Sequence, residues 1–184
     1  MCVIHVAAVN GSSRVVAVTT APGETIRLAP LDEALLADLL DAALRGAPPE
    51  EVMPPVQELG WTDRNRTAFL DFYRPHLAGL DGPKGTVMFA ILAEGAVAGM
   101  IRLARTAEPT VYETGMWLGR AYRGQGLGTA AVRALLARAA AVGATAVVAD
   151  TTPGNVAALG ALRRCGAVLT PRDGKVYAEL AIPA

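Results

Sequence analysis

The sequence predicts one α/β domain, with a mixed sheet and about four flanking helices, over residues 1–184. Patterns typical of strands and helices alternate in the order strand, helix, helix, three strands, helix, strand, helix, two strands. Such alternation is typical of a mixed α/β sheet. Apolar residues make up 52% of the 184 residues, and no linker divides the chain. One hydrophobic core can therefore serve all of these elements.

The N-terminal part predicts strands ahead of the first helix. Two β-rich runs, 3–9 and 14–19, flank Asn10-Gly11, which is a strong turn signal. They predict an extra β-hairpin within residues 1–23, before a short strand at 25–28.

Two amphipathic helices are predicted next. Residues 32–44 carry a stripe of leucines at helical spacing. Thr62 has the character of an N-cap for the second helix, whose aromatic residues share one face and whose end is set by Pro75. The segment between the two helices is rich in proline and predicts irregular structure.

The remaining elements follow turn residues that separate apolar runs. Three strands and a helix are predicted first, then a strand, a helix and two final strands. Their expected ranges are 86–93, 97–103, 111–118, 127–142, 144–149, 155–165, 168–169 and 175–182.

Composition narrows the classes of function. Lysine plus arginine equals aspartate plus glutamate at 17 each, so no basic excess favours nucleic-acid binding. Two cysteines cannot form a disulfide framework, and no Cys/His cluster indicates a metal site. No uncharged run reaches the ~18 residues of a membrane span, and no basic segment precedes the apolar N-terminus. We therefore expect a cytoplasmic protein without a metal, nucleic-acid or membrane partner.

A glycine-rich turn at 123–128 joins the predicted strand 111–118 to the long helix that follows it. A helix start leaves about four N–H groups unpaired and carries a partial positive charge. Glycines let an anion approach the backbone, and Thr129 adds a hydroxyl in the first turn. The turn therefore predicts a diphosphate site between Arg123 and Thr129.

Two general phosphate-loop patterns fit this turn poorly. The Walker A pattern requires Lys followed by Ser or Thr after the last glycine, whereas Thr129-Ala130 follow Gly128. The dinucleotide pattern G-x-G-x-x-A does match 126–131, and Asp150 ends the next strand-like run. However, residues 120–125 intervene between the strand and this loop, so a dinucleotide-binding protein stays a less favoured alternative.

A third pattern, R/Q-x-x-G-x-G/A, is matched by Arg123, Gly126 and Gly128. A second motif at 155–167 matches N-x-x-A/S-x-x-x-Y-x-x-x-G-F at its Asn, Ala and Gly positions. It departs from that motif at Leu162 and at the final position. From about Thr25 to the C-terminus, the chain resembles the GNAT superfamily of acyl-CoA-dependent N-acetyltransferases. The resemblance implies a mostly antiparallel sheet, and acetyl-CoA (coenzyme A) as co-substrate without a metal.

The resemblance also implies the cofactor-binding residues. The backbone of Met116, Trp117 and Leu118 is expected to bind the pantetheine arm where this strand separates from the next one. Asn155 is expected to contact the cofactor, and it can cap its helix at the same time. The diphosphate is expected on the amides of Arg123, Gly124, Gln125, Gly126, Leu127, Gly128 and Thr129.

The implied reaction is direct attack of a primary amine on the acetyl thioester. An alkylammonium has a pKa near ~10.4, so a base must first remove a proton. Glu113 is the candidate catalytic base, and a paired strand carboxylate is an equal alternative. Glu108 and Glu58 are weaker candidates. Leu162 replaces the tyrosine that serves as acid in many members of the superfamily.

The acceptor is not defined by the sequence. Segment 45–80 resembles the family least, and within it Trp61 and Tyr73 are candidate substrate residues. A small-molecule amine, including an antibiotic, and a protein N-terminus both stay open, as does a homodimer. A different class also stays open: a degenerate domain that binds acyl-CoA as a sensor without catalysis.

Overall fold

The strands of the computed structural model, which describes residues 17–21, 24–54 and 58–183, form one eight-stranded sheet in the order β1-β2-β3-β4-β5-β6-β8-β7. Only the β5–β6 pairing among the described strands is parallel, which confirms the predicted mixed, mostly antiparallel sheet. The strands are β1 Ala17–Ala21, β2 Glu24–Pro30, β3 Thr86–Ala93, β4 Ala96–Arg105, β5 Val111–Leu118, β6 Ala146–Thr151, β7 Val168–Arg172 and β8 Lys175–Ala181.

The predicted N-terminal hairpin is only partly within the described residues. Its first strand, 3–9, lies outside them. The region of its second strand forms β1, which pairs with β2.

Four helices lie where the sequence predicts them, and a fifth, α2, is a single turn. The helices are α1 Glu33–Gly46, α2 Pro49–Val52, α3 Asp63–Tyr73, α4 Leu127–Ala141 and α5 Val156–Arg164. No helix in the described part of the chain is long and apolar enough to cross a membrane. The α2 turn replaces part of the predicted irregular segment. Pro49 at its first position and two glutamates in its first turn favour a helix start, but one turn has no periodicity to recognise.

Side-chain caps define where α1 and α3 begin. The carboxylate of Asp32 accepts a hydrogen bond from Leu35 N at 2.8 Å, and the hydroxyl of Thr62 accepts one from Asn65 N at 3.2 Å. These bonds satisfy amides that the helix itself leaves unpaired. The second confirms Thr62 as an N-cap. At its other end α3 passes into a 3-10 turn, 74–76, which contains Pro75. Proline has no backbone N–H, so the α-helical hydrogen bonds cannot continue through it.

Two hydrophobic cores lie on opposite faces of the sheet. Helix α4 and residues of α5 pack on one face, where Leu135 and Leu180 are fully buried. Helices α1 and α3 pack on the other face, where Phe69 and Tyr73 are fully buried against β3, β4 and Trp117. No described residue of β6, β7 or β8 belongs to this second core.

The uncovered part of the second face lies over β6, β8 and β7. Side chains alternate along a strand, so residues between the buried positions of β6 and β8 point to this face. Asp150, Lys175, Tyr177 and Glu179 are such residues, and all four are exposed. We call them the open sheet face.

Strands β5 and β6 separate partway along their length. They pair at only three positions, from Val111–Ala146 to Glu113–Val148. Beyond Glu113, β5 continues on β4 as far as Leu118, while β6 continues on β8 as far as Thr151. Gly99 allows β4 to stay close to β5 here, because a Cβ at that position would lie 2.1 Å from the Trp117 carbonyl oxygen. Among the described residues, the facing edges of β5 and β6 beyond Glu113 are therefore left without ladder partners.

Candidate active site

A cleft of about 540 Å³ opens where β5 and β6 separate. Its walls are the end of β5, the glycine-rich turn, the start of α4, one face of α5, and α2. The lining residues are Glu51, Met116, Trp117, Leu118, Tyr122, Arg123, Gly124, Gly126, Gly128, Thr129, Asn155, Ala157, Ala158, Ala161 and Arg164. Nine of these fifteen positions are among the residues predicted to bind the cofactor.

The turn before α4 requires its glycines for two reasons. Gly124 and Gly126 have φ values of 78° and 81°, in the left-handed region that side chains disfavour. Gly128 is different, because its backbone is unstrained but a Cβ there would lie 3.3 Å from the Met116 methyl group. A side chain at any of these three glycines would change how closely the turn approaches β5 and the cleft.

The start of α4 offers backbone amides to the cleft. Gly126 is the N-cap residue and provides no side-chain hydrogen bond to the first turn. A helix start without a side-chain cap has amide donors available to an anion, and its dipole favours negative charge. This geometry fits the predicted diphosphate site.

Two predicted residues of the turn do not send their side chains into the cleft. Leu127 is 4% exposed and belongs to the core under α4. The Gln125 side chain donates to the Ala121 carbonyl at 2.6 Å, which closes the preceding 3-10 turn. Their expected contribution is through backbone amides, which leaves the side chains free for these structural contacts.

Arg123 joins the turn to two other parts of the cleft. Its Nε donates to the Leu118 carbonyl at 2.8 Å, and its guanidinium pairs with Glu51 at 2.6 Å. Both side chains of this ion pair are 41% exposed. Glu51 was not predicted as a site residue, because it lies on the unpredicted α2, 72 positions away in sequence. Its carboxylate places negative charge in the wall of the proposed diphosphate site.

Helix α5 forms the far wall. The Asn155 side chain accepts a hydrogen bond from Ala158 N at 3.1 Å, so Asn155 caps α5 as well as lining the cleft. Arg164 lines the cleft too, and its Nε donates to the Thr129 hydroxyl at 3.2 Å. Of the two neighbouring arginines, Arg163 and Arg164, only the second lines the cleft. The small residues of α5 that line it could have been recognised from their helical spacing with Asn155.

Glu113 lies on β5 on the opposite face from the Met116 and Leu118 side chains. It forms an ion pair with Arg102 of β4, and the two side chains are 42% and 32% exposed. Gly115 makes room for this pair, because a Cβ there would lie 3.0 Å from Arg102 Nε. Glu113 shares its face with Trp117 and does not line the cleft. It therefore faces away from the cleft, in the paired state that the sequence kept as an alternative.

The weaker base candidates have other contacts. Glu58 accepts a hydrogen bond from the Thr62 hydroxyl at 2.8 Å and pairs with Arg64. It supports the start of α3. Glu108 lies in the loop before β5, where its backbone carbonyl accepts a hydrogen bond from the Thr106 hydroxyl at 3.2 Å. This is the end of β5 that pairs with β6, away from the cleft.

The structure places Tyr73 in the core instead of on the wall of an acceptor pocket. Its side chain is fully buried, its hydroxyl donates to the Val52 carbonyl at 2.7 Å, and it accepts a hydrogen bond from Trp117 Nε1 at 2.9 Å. Burial raises the pKa of the Tyr73 phenol above its usual value, so the hydroxyl stays protonated. Tyr73 thus fixes the Trp117 indole in the core beneath α1 and α3.

Trp61 is also engaged in packing. Its Nε1 donates to the Ala47 carbonyl at 2.8 Å, and its ring meets Phe69 edge-on with centroids 5.8 Å apart. It remains partly exposed, at the start of α3, and it does not line the cleft. Its role toward an acceptor stays a prediction.

His76 is a titratable group in the 3-10 turn that follows α3. Its Nδ1 lies 3.0 Å from the Phe72 carbonyl oxygen, which can only accept, so Nδ1 carries the proton. Burial lowers the pKa of the imidazole, the hydrogen bonds to the Phe72 and Tyr73 backbone raise it by less, and the Lys84 and Arg102 charges add to the net decrease. The neutral ring is therefore favoured at pH 7. Among the described residues, no cluster of three His, Cys, Asp or Glu side chains forms a metal site.

The fold and the cleft together define an acyl-CoA-dependent acetyltransferase class, and comparison with a family model agrees. The model described as "Acetyltransferase (GNAT) family" matches residues 40–167. The chain belongs to the GNAT acetyltransferase family. No curated protein matches the sequence. The sheet is also not the parallel, doubly wound sheet that a dinucleotide-binding protein requires.

Solved structures share the fold at low sequence identity. The GNAT domain of S. lividans PAT aligns with a TM-score of 0.69 at 17% identity, covering 91% of this chain and 96% of that one. Mycobacterium smegmatis RimJ in complex with CoA-disulfide aligns at 0.71 and 18%, covering 91% and 86%. The ribosomal L7/L12 α-N-protein acetyltransferase RimL, in complex with coenzyme A, aligns at 0.66 and 19%, covering 85% and 94%.

Proposed function

We propose that this protein transfers the acetyl group of acetyl-CoA to a primary amine by direct attack in a ternary complex. One observation carries the proposal. The uncapped start of α4 and the unpaired edge of β5 line the same cleft. A diphosphate needs the first feature, and an arm that contains amide groups needs the second.

The residues of the cleft suit the parts of coenzyme A. The first-turn amides of α4 would hold the diphosphate, with Arg164 close enough to Thr129 to add a guanidinium. The backbone of Met116 to Leu118 would pair with the amides of the pantetheine arm. Bound acetyl-CoA would supply an activated thioester at the separation of β5 and β6. Glu113 and Trp117 lie on the opposite side of the strand from the arm.

The amine must lose a proton before it attacks, since an alkylammonium with a pKa near ~10.4 has no lone pair. Glu113 is the proposed base, acting directly or through water, and Arg102 fixes the orientation of its carboxylate. Leu162 lies in the core at 6% exposure and cannot act as an acid. A thiol pKa of about 8.5 makes the thiolate a good leaving group, so water can protonate it late. The pH profile of kcat should rise through one ionisation and then stay flat, without a fall near pH ~10.

An α-amine of a peptide or protein is the favoured acceptor. The acceptor side continues into the open sheet face, which is exposed instead of closing into a small pocket. An extended chain can lie along such a surface, whereas a small ligand is normally bound in a concave site. The likeness to RimL, an α-N-protein acetyltransferase, is consistent with this choice. A small-molecule amine is the second candidate, because the partly exposed Trp61 and Phe72 could form one wall of a pocket.

Thioester consumption tests the proposal. Acetyl-CoA would be offered with unblocked peptides, the same peptides carrying a blocked N-terminus, and a set of small amines. We expect free thiol and a peptide mass increase of one acetyl group with the unblocked peptides only. Turnover of small amines alone would identify the second candidate. Coenzyme A binding without turnover of any amine would favour the sensor alternative.

A further inference from the structure

A closed ring of contacts links the cleft to the helices of the acceptor side. Arg123 bonds to the Leu118 carbonyl and pairs with Glu51. The residue after Glu51 is Val52, whose carbonyl accepts from Tyr73, and Tyr73 accepts from Trp117, the residue before Leu118. The members, in order, are Arg123, Glu51, Val52, Tyr73, Trp117 and Leu118. The ring therefore connects the phosphate turn, α2, α3 and β5.

The two arms of the ring differ in strength. The arm through Tyr73 is fully buried, so water cannot replace its hydrogen bonds, and breaking it leaves buried polar groups unpaired. The arm through Glu51 and Arg123 is an exposed ion pair, with both side chains 41% exposed. Exposed pairs contribute little net free energy and are easily exchanged. The Glu51–Arg123 pair is therefore the contact of the ring that a ligand can replace most easily.

A diphosphate bound in the cleft would compete with Glu51 for Arg123. Arg123 and Glu51 both line the cleft, so the anion would meet one favourable and one unfavourable charge. Arg123 can form paired hydrogen bonds with a phosphate as well as with a carboxylate. Keeping Glu51 in place would leave two anionic groups competing for a single guanidinium.

We propose that acetyl-CoA opens this ring: Arg123 exchanges Glu51 for the diphosphate, and the release of Glu51 frees α2 while the buried Tyr73 arm keeps it attached. Glu51 is thus a positioning residue that makes α2 respond to occupancy of the cleft. This inference rests on the proposed function, because it requires coenzyme A in the cleft.

Calorimetry with coenzyme A tests the exchange. Glu51→Gln removes the charge at nearly constant shape, and Glu50→Gln on the same turn is the matched control, since Glu50 is exposed and does not line the cleft. We expect Glu51→Gln to bind coenzyme A roughly threefold to tenfold more tightly than wild type, and Glu50→Gln to bind like wild type. The difference should shrink at about 1 M salt, where screening acts within about 3 Å. Unchanged or weaker binding by Glu51→Gln would overturn the exchange.

Hydrogen exchange tests the release of α2 and separates this inference from the proposed function. On adding coenzyme A to wild type, peptides covering 123–129 should become protected, and a peptide covering 49–54 should exchange faster. In Glu51→Gln the second peptide should exchange fast already without ligand. Protection of 123–129 with no change at 49–54 would refute the ring opening and leave the proposed function intact. No protection at 123–129 would refute the proposed function itself.

Discussion

The two sides of this site are built by different means. The proposed cofactor side uses the backbone of short, nearly contiguous stretches, 116–118 and 123–129, at the end of one strand and the start of one helix. The proposed acceptor side uses side chains from distant segments, such as Tyr73 with Trp117 and Arg102 with Glu113. A site built from backbone amides depends on having glycine at the positions where the ligand or another strand comes close. A site built from side chains depends on which helices and strands pack together. The first should be sensitive to added volume, and the second to lost polar groups.

Adding volume to the cofactor side should have the largest effect. Gly128→Val puts a branched side chain against the Met116 methyl group, and its backbone conformation tolerates a side chain. We expect at least roughly 10²-fold weaker coenzyme A binding by calorimetry, at the upper end of what overpacking costs. Gly154→Ala, with no atom near its added Cβ, should bind normally. Wild-type affinity in a folded Gly128→Val protein would place the ligand elsewhere.

Neutralising the Glu113 carboxylate should have the second largest effect, and it should lower kcat without changing coenzyme A affinity. Glu113→Gln should lower kcat by roughly 10²-fold while coenzyme A affinity stays unchanged, because a general base acts only in the chemical step. Glu94→Gln changes an exposed carboxylate in the turn between β3 and β4, away from the cleft and the open sheet face, and should leave kcat unaltered. If Glu113→Gln keeps full activity, the glutamate only balances Arg102, and the neutral His76 becomes the base to test.

Removing the buried hydroxyl should cost stability instead of chemistry. Tyr73→Phe leaves the Trp117 indole N–H and the Val52 carbonyl unpaired, so we expect a loss of about 1–3 kcal/mol in urea unfolding at pH 7. Tyr177→Phe, on the open sheet face, should change stability by less than about 0.5 kcal/mol.

The pH dependence of the Tyr73→Phe effect has a definite sign. Burial raises the pKa of Tyr73, so the folded state keeps its proton when the unfolded chain begins to ionise at about pH 10. The contribution of Tyr73 is complete below that pH and decreases above it. The stability difference between wild type and Tyr73→Phe should therefore narrow between about pH 10 and 11. A constant difference would mean that Tyr73 ionises equally in both states.

The smallest expected effect separates the two neighbouring arginines of α5. Arg164→Ala should weaken coenzyme A binding by roughly threefold to tenfold, since an exposed cation adds little to an anion site built from amides. Arg163→Ala should have no effect, because that side chain does not line the cleft. Equal effects of the two substitutions would indicate general electrostatic attraction instead of a contact.

The contrast between the two sides explains how much the sequence could predict. The order of elements, the Thr62 cap and the glycine turn depend on local rules, and the structure agrees with all three. Helical spacing identifies the aromatic face of α3 but does not show what covers Tyr73, which the structure buries. The Glu51–Arg123 pair spans 72 positions, and no local pattern connects those residues.

One titration series tests the central claim most directly, namely that the α4 start and the open edge of β5 form one acetyl-CoA site. Coenzyme A, ADP and NADH all carry a diphosphate, but only coenzyme A has the pantetheine arm that the unpaired strand edge would bind. We predict that coenzyme A binds at least roughly tenfold more tightly than ADP, a difference of about 1.4 kcal/mol, and that Gly128→Val abolishes this advantage. NADH binding as tightly as coenzyme A, or ADP matching coenzyme A in the wild type, would contradict the account.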